Sequence, residues 1–292
     1  MAVITGTSGW SYDDWVGAFY PPHLKKDEWL GYYAKFFKTT EINSTYYTFP
    51  SKAIVSGWIS KASKMPGFEY SVKLPGKITH DTLLEDVQTA IGFEESVLRP
   101  MSKAGCLGAV LIQLSPYLKL KDGDKDTGHL DRLQTLLSSL DTRNIQYAAE
   151  FRHSSWMSEG RLDSETAKLL GSHNVAVCAV DGPSMPVDIE STADHGYVRF
   201  HGRNRDIWFR KDGDMAGRMN RYDYMYNEKE LEPWKARIEK AFHTSCKVRA
   251  YFNNHPRANA VKNARLFESI VEGKPVDIPA TYRQSSIGNF FE

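Results

Sequence analysis

Apolar residues fall along this chain in blocks. Eight short runs rich in β-branched and aromatic residues stand out: Val3 to Gly9, Thr39 to Asn43, Phe68 to Leu74, Gly108 to Leu114, Tyr147 to Phe151, Val175 to Val180, Gly196 to Gly202 and Lys247 to Asn254. Most are nearly continuous in apolar residues, the pattern of strands buried on both faces of a parallel sheet covered by helices. Helical spacing appears between them. Lys26 to Lys38 carries Trp29, Tyr32, Tyr33, Phe36 and Phe37, and Ser51 to Lys64 carries Ile54, Val55, Trp58 and Ile59. Further helices are predicted over Leu83 to Ser102, Leu130 to Leu140, Ser164 to Ser172 with Asp163 as its cap, Glu228 to His243 and Arg257 to Val271. The aromatic stripes read as core packing.

Strand and helix alternate in eight units, which predicts an α/β fold with a parallel sheet. Eight units in 292 residues favour a closed (β/α)8 TIM-type barrel, one domain over residues 1–292, rather than an open doubly wound sheet. Neither Gly-x-Gly-x-x-Gly after a strand nor Gly-x-x-x-x-Gly-Lys-Ser/Thr occurs, so the nucleotide-binding signatures of open sheets are missing. Two connections are long, 115–129 and 203–227. Loops of that length carry function or hide small elements of their own.

Composition narrows the partners. Lys plus Arg number 37 against 36 Asp plus Glu, a formal charge of +1, so no global field draws the chain to nucleic acid or membrane. Cys106, Cys178 and Cys246 are far apart and form neither a disulfide framework nor a zinc ribbon, which reads as buried thiols in a reducing compartment. The N-terminus shows no leader pattern and no apolar run approaches a membrane span; cytoplasmic location is the expectation.

In a β/α barrel the C-terminal strand ends face the active site. Mapping polarity onto the eight runs places acids, bases, amides and aromatics at those ends. Glu41, Glu150, Asp181 and His201 are the candidate catalytic groups. Trp10, Tyr12, Asn43, Tyr46, Lys73, Gln113, Arg152, Arg199, Asn253 and Asn254 are the candidate binding groups. Glu41, Glu150, Asp181, His201 and His255 also form a mixed oxygen and nitrogen set for a divalent metal, without a tight ligand spacing such as His-Glu-x-x-His. Charges of both signs converging on one end need one another or a ligand. Glu41 with Lys73, and Glu150 with Arg199, read equally well as structural ion pairs. His80 and His153 read as loop hydrogen-bonders, and His255 before Pro256 as a helix cap.

The same positions carry a resemblance. Gly6-Thr7-Ser8-Gly9-Trp10-Ser11-Tyr12 with Trp15 and Phe19-Tyr20-Pro21, then Glu41-Ile42-Asn43-Ser44-Thr45-Tyr46-Tyr47, Thr79-His80, Glu150-Phe151-Arg152-His153-Ser154-Ser155-Trp156, Val198-Arg199-Phe200-His201-Gly202 and Tyr251-Phe252-Asn253-Asn254-His255 resemble the motifs of the YecE-like family, a domain of unknown function. The resemblance spans nearly the whole chain. It implies a β/α barrel and brings no assigned reaction. Fold analogy links such proteins to metal-dependent barrels that isomerise sugars or cut nucleic acid at damaged sites.

Three functions follow from the residues. The favoured one is a hydrolase of a phosphate-bearing substrate, a small anion or nucleic acid, with or without a metal. In it Arg152 and Arg199 bind anionic oxygen, Glu150 or Glu41 serves as base or metal ligand, and His201 as a second base or ligand. The loop 203–227, with Arg203, Arg205, Arg210, Lys211, Arg218 and Arg221, lies where many barrels hold phosphate, although Asp206, Asp212 and Asp214 dilute its charge. The alternatives are a metal-free carbohydrate enzyme pairing Glu150 with Glu41 or Asp181, and a protein that binds an anionic ligand or nucleic acid without turnover. Carboxylates tied up by Arg152, Arg199 or Lys73 would count against the carbohydrate enzyme, which needs a raised-pKa acid.

Overall fold

The computed structural model describes residues 1–123, 125–158, 161–183, 185–208, 221–243 and 246–277. Eight parallel strands form one sheet: β1 (Ala2–Thr7), β2 (Thr39–Ile42), β3 (Glu69–Lys73), β4 (Leu107–Gln113), β5 (Gln146–Glu150), β6 (Val175–Asp181), β7 (His195–Phe200) and β8 (Lys247–Phe252). Each pairs with its sequence neighbour from β2 through β8, and β8 pairs with β1 in register from Ala2↔Lys247 to Thr7↔Phe252. The sheet is thus a nearly closed barrel of the TIM type, with helices between the strands.

The remaining seam, β1 against β2, closes by one bridge, Ser8↔Glu41. Below it a side chain replaces the ladder. The Thr7 N–H donates to the Tyr33 hydroxyl at 2.9 Å, and that hydroxyl donates to the Thr39 carbonyl at 3.0 Å. Gly6 permits the approach: a Cβ there would lie 2.4 Å from the Thr39 oxygen. Tyr33 comes from α1 (Trp29–Tyr33), which ends five residues before β2, so the aromatic stripe on this helix serves the seam as well as the core.

The other helices are α2 (Lys52–Ala62), α3 (Val87–Phe93), α4 (Arg99–Lys103), α5 (His129–Ser139), α6 (Ser164–Ser172), α7 (Arg205–Trp208), α8 (Glu228–Ala241) and α9 (Asn259–Glu272). Asp163 caps α6, accepting from the Glu165 and Thr166 amides. The single helix expected over Leu83 to Ser102 is divided. Leu83 and Leu84 adopt positive φ and stay outside it, Asp86 caps α3 at Val87, and a π-helical turn over Glu94–Leu98 separates α3 from α4. The turn gives buried Glu94 the Tyr147 hydroxyl and the Asp141 amide as donors, at 2.6 and 2.8 Å. The helix expected from Arg257 starts two residues later, because Arg257 and Ala258 have positive φ. The loop 115–129 contains a short antiparallel pair, Lys121–Asp122 with Lys125–Asp126.

Outside the sheet, Phe200 stacks on Phe252 at 4.4 Å and meets Trp234 of α8 and Phe267 of α9 edge-on or tilted. The inside is different. β4 and β6 are the nearly continuous apolar runs expected, whereas β3, β7 and β8 alternate and turn polar side chains inward. Near the N-terminal end Arg249 donates to Glu69 at 2.6 Å and to Gln146 at 2.8 Å, a cluster that Gly108 leaves room for. Next come Thr39, Ser71 and Tyr251, joined by bonds of 2.6 and 2.7 Å. Above them lie Glu41, Lys73, Gln113, Glu150 and Arg199. Glu69, Ser71 and Lys73, like Tyr197, Arg199 and His201, are spaced two apart, as inward positions on a strand must be. No helix of the described residues is long and apolar enough to cross a membrane.

Candidate functional site

The uppermost interior layer centres on Arg199 of β7, whose side chain is 2% exposed. One guanidinium nitrogen donates to Glu41 at 2.8 Å and another to Glu150 at 2.6 Å. The rest of each carboxylate is also committed. The second oxygen of Glu41 accepts from the Tyr197 hydroxyl at 2.7 Å. The other oxygen of Glu150 accepts from Gln113 at 3.0 Å and from Arg152, with His201 Nε2 at 3.5 Å. Burial by itself would raise both acids. For Glu41 the Arg199 charge, then Tyr197 and Ser8, outweigh it and hold the carboxyl low; for Glu150 the Arg152 and Arg199 charges hold it well below the usual carboxylate range. Both acids are therefore ionised at neutral pH and neither is a proton donor.

Lys73 is placed differently. The expected pairing of Glu41 with Lys73 does not form, because Arg199 takes Glu41. The Lys73 ammonium nitrogen donates to the Gln113 side-chain oxygen at 2.6 Å and sits 4.0 Å over the Tyr46 ring. Gln113 is oriented by this contact, its oxygen toward Lys73 and its nitrogen toward Glu150. Burial and the Arg199 charge bring the Lys73 pKa down to about 7 against the pull of Glu150 and Glu41.

Two histidines join the layer. His201 is buried between the Arg152 guanidinium, 3.3 Å from Nε2, and the Asn253 amide, 3.1 Å from Nδ1. Burial pushes it down to about 4, and the Glu150 hydrogen bond only partly offsets that. His80, bonded to Thr79 at 2.8 Å and edge-on to Tyr46, is brought to about 4 by burial and the Lys73 charge. Both rings are neutral near pH 7.

Above this floor opens a cleft of about 800 Å³. Of the expected residues, Tyr12, Asn43, Tyr46, Lys73, Gln113, Arg152, Arg199, Asn253 and His255 line it, and Glu41, Glu150 and His201 lie buried beneath. Tyr12 and His255 stack at 4.5 Å, and Tyr222 stacks against His255 at 5.9 Å. Three expected residues are not brought to the cleft. Asp181 turns away to Arg203, at 2.8 and 2.5 Å, and to Tyr226 and Trp234, each at 3.0 Å. Asn254 ties the end of β8 to the Tyr224 carbonyl and to Asn263 of α9. Trp10 packs on Tyr70.

The loop after β7 contributes aromatics. Trp208 and Tyr222 line the cleft, whereas Arg203 is spent on Asp181 and Glu230. Arg210, Lys211, Arg218, Asp212 and Asp214 lie outside the described residues. His80 and His153, expected as loop hydrogen-bonders, both line the cleft while keeping such bonds to Thr79 and Ser155. Tyr197 escaped notice because tyrosine counts as apolar in a strand pattern; its spacing from Arg199 and His201 was the available signal.

The metal set fails on its donors. Asp181 is elsewhere, the carboxylate oxygens of Glu41 and Glu150 already accept from cations and hydroxyl or amide groups, and among the described residues no three His, Cys, Asp or Glu side chains gather to hold an ion. A divalent cation would have to displace Arg199 or Arg152. Instead residues lining the cleft hold buried polar atoms with no hydrogen-bond partner among the described residues: the donors Arg152 Nε and Arg199 Nε, the acceptor Asn43 Oδ1, and His255 Nδ1.

A family described as a protein of unknown function, DUF72, matches residues 4–285. The YunF protein of Bacillus subtilis is 24% identical over 280 residues, covering 92% of this chain and 95% of that one. A crystal structure of a DUF72 family protein from Thermotoga maritima superposes with a TM-score of 0.74 at 31% identity, over 93% of this chain and 100% of that one. One from Enterococcus faecalis gives 0.73 at 21% identity over 97% and 100%. The motifs resembled in the sequence belong to this same family under another name, and the chain is a member of the DUF72 family.

Proposed function

We propose that the barrel mouth binds a small anionic molecule and that its phosphate or carboxylate is held by Arg152 and Arg199. One observation carries this reading: two arginines that line the cleft each hold a buried guanidinium Nε–H with no acceptor among the described residues. A buried donor without an acceptor costs about 1–3 kcal/mol, and an anionic oxygen is the acceptor that recovers most, since charge-assisted bonds are roughly twice as strong as neutral ones. The stacked Tyr12, His255 and Tyr222 rings supply an apolar wall for the rest of the ligand.

The residues favour an anion that serves as a handle over one that reacts. Phosphoester hydrolysis assisted by a metal lacks free carboxylate donors here, and a glycosidase pairing of Glu150 with Glu41 lacks a protonated acid. The groups free to react at neutral pH are nitrogen bases: His80, which is neutral, and Lys73, which sheds its proton near pH 7.

Thermal melting tests this. Glycerol 3-phosphate should raise the melting temperature in a saturable way, since a ligand at 100 times its Kd adds about 2.7 kcal/mol. Glycerol should not, and Arg152→Met should abolish the effect. If phosphate monoesters and carboxylates leave the melting temperature unchanged, or glycerol stabilises as well, the reading is wrong.

A further inference from the structure

We propose that Lys73 is a nucleophilic amine that forms a Schiff base with an aldehyde or ketone carrying the anionic handle. This rests on the anion reading above and names the substrate class for the same site.

Among the described residues the mouth holds three cationic side chains, Lys73, Arg152 and Arg199, against two carboxylates, Glu41 and Glu150. An arginine cannot shed its proton in a protein, whereas a lysine can. The arginines occupy both carboxylates, and among the described residues Lys73 has no carboxylate oxygen in ion-pair reach. Its acceptor is the neutral oxygen of Gln113 at 2.6 Å, and its other contact is the face of Tyr46 at 4.0 Å. Arg199 and Arg152 oppose its charge, Glu150 and Glu41 support it, and His80 is neutral. The depressed pKa agrees with this placement.

Position completes the case. Lys73 ends β3, so its stem is fixed by the sheet, and the residue is 9% exposed yet borders the open cleft. A buried lysine desolvated beside other cations is the arrangement that makes an amine reactive at neutral pH. Arg152, whose buried Nε has no hydrogen-bond partner among the described residues, lines the same cleft.

The step balances with no metal or redox partner. The Nζ lone pair adds to the carbonyl carbon while a proton passes from nitrogen to oxygen, giving a carbinolamine. That oxygen takes a second proton, from solvent, and leaves as water, and the nitrogen lone pair forms the C=N bond of a protonated imine. Hydride from cyanoborohydride reduces the imine carbon and fixes the adduct as a secondary amine.

The test uses the full chain with D-glyceraldehyde 3-phosphate and sodium cyanoborohydride at pH 7.5, with peptide mapping over time. Lys73 should be alkylated at least about tenfold faster than exposed Lys52 and Lys61, the usual rate span of one pKa decade or more of free amine. Lys73→Arg, which keeps the charge, should lose that adduct and retain its melting transition. Neutral glyceraldehyde should label Lys73 more slowly, and Arg152→Met should erase the difference between the two probes. Equal, fast labelling of Lys73 by both probes would support the imine and overturn the anion handle. Labelling of Lys73 no faster than Lys61 with either probe would overturn the imine, leaving the anion reading to the melting experiment.

Discussion

Arg199 shows how one residue decides the character of a layer. It is buried, bridges two buried carboxylates and sits two positions from Tyr197 and two from His201, on the face of the chain they share. Desolvating three charges is costly, and their mutual attraction repays it only because each carboxylate also receives other hydrogen bonds. Removing the guanidinium leaves two buried acids short of a cation. Arg199→Met should destabilise the fold by about 3–5 kcal/mol in urea denaturation. Arg199→Lys should recover part of this only, since an ammonium cannot span both acids with a planar fork. An Arg199→Met variant as stable as the parent would show that the cluster is energetically neutral.

At the scale of elements, the barrel depends on how β1 meets β2. A single bridge, the Tyr33 phenol and the Thr40 hydroxyl, which donates to the Thr7 carbonyl at 3.1 Å, stand among the described residues where a full ladder runs elsewhere. Tyr33→Phe strands the Thr7 N–H and the Thr39 carbonyl in a buried seam, and should cost about 1–3 kcal/mol. Hydrogen exchange at the Thr7 amide should accelerate by more than that at Ser8, whose N–H points the other way and donates to the Phe252 carbonyl of β8 at 3.0 Å; equal acceleration at both would refute the seam role of Tyr33. Gly6→Ala attacks the same seam by sterics and should cost about 1–3 kcal/mol, as overpacking does when backbone is the obstacle.

For the whole molecule, the displaced pKa values set a stability profile. His201 and His80 titrate near 4 in the fold and 6.5 when exposed, so the unfolded chain takes up protons first as pH falls. Their contribution is complete above pH 6.5 and is lost as the pH drops toward 4. Glu41 and Glu150 are held low, so theirs is present above the ordinary value of 4.5 and lost as pH falls through the folded values. The urea midpoint should therefore fall from pH 6.5 downward and steepen below 4.5. Lys73 works at the other end. It loses its proton near 7 in the fold and near 10.5 when unfolded, so stability should rise with pH across that window. Lys73→Met should lack that rise, and parallel profiles for parent and variant between pH 7 and 10 would contradict a depressed lysine.

The strand–helix alternation, the barrel and the strand ends as the place where chemistry-bearing side chains gather were legible in the order of residues, because burial of strands on a helical layer and the period of two are local properties of the chain. The address of Glu41, Lys73, Glu150, Arg199 and His201 could be read for that reason. Which charges meet was settled by folding alone. Arg199 reaches two acids lying 158 and 49 residues away in sequence, which frees Lys73 from Glu41, while Asp181 at an equivalent strand end turns to Arg203 instead. Pairing among buried charges depends on distance and desolvation across strands, and no one-dimensional pattern carries that. The polar barrel interior was half visible: the alternation of Glu69, Ser71 and Lys73 was there to read, but tyrosines and small residues on other strands masked it until the sheet closed.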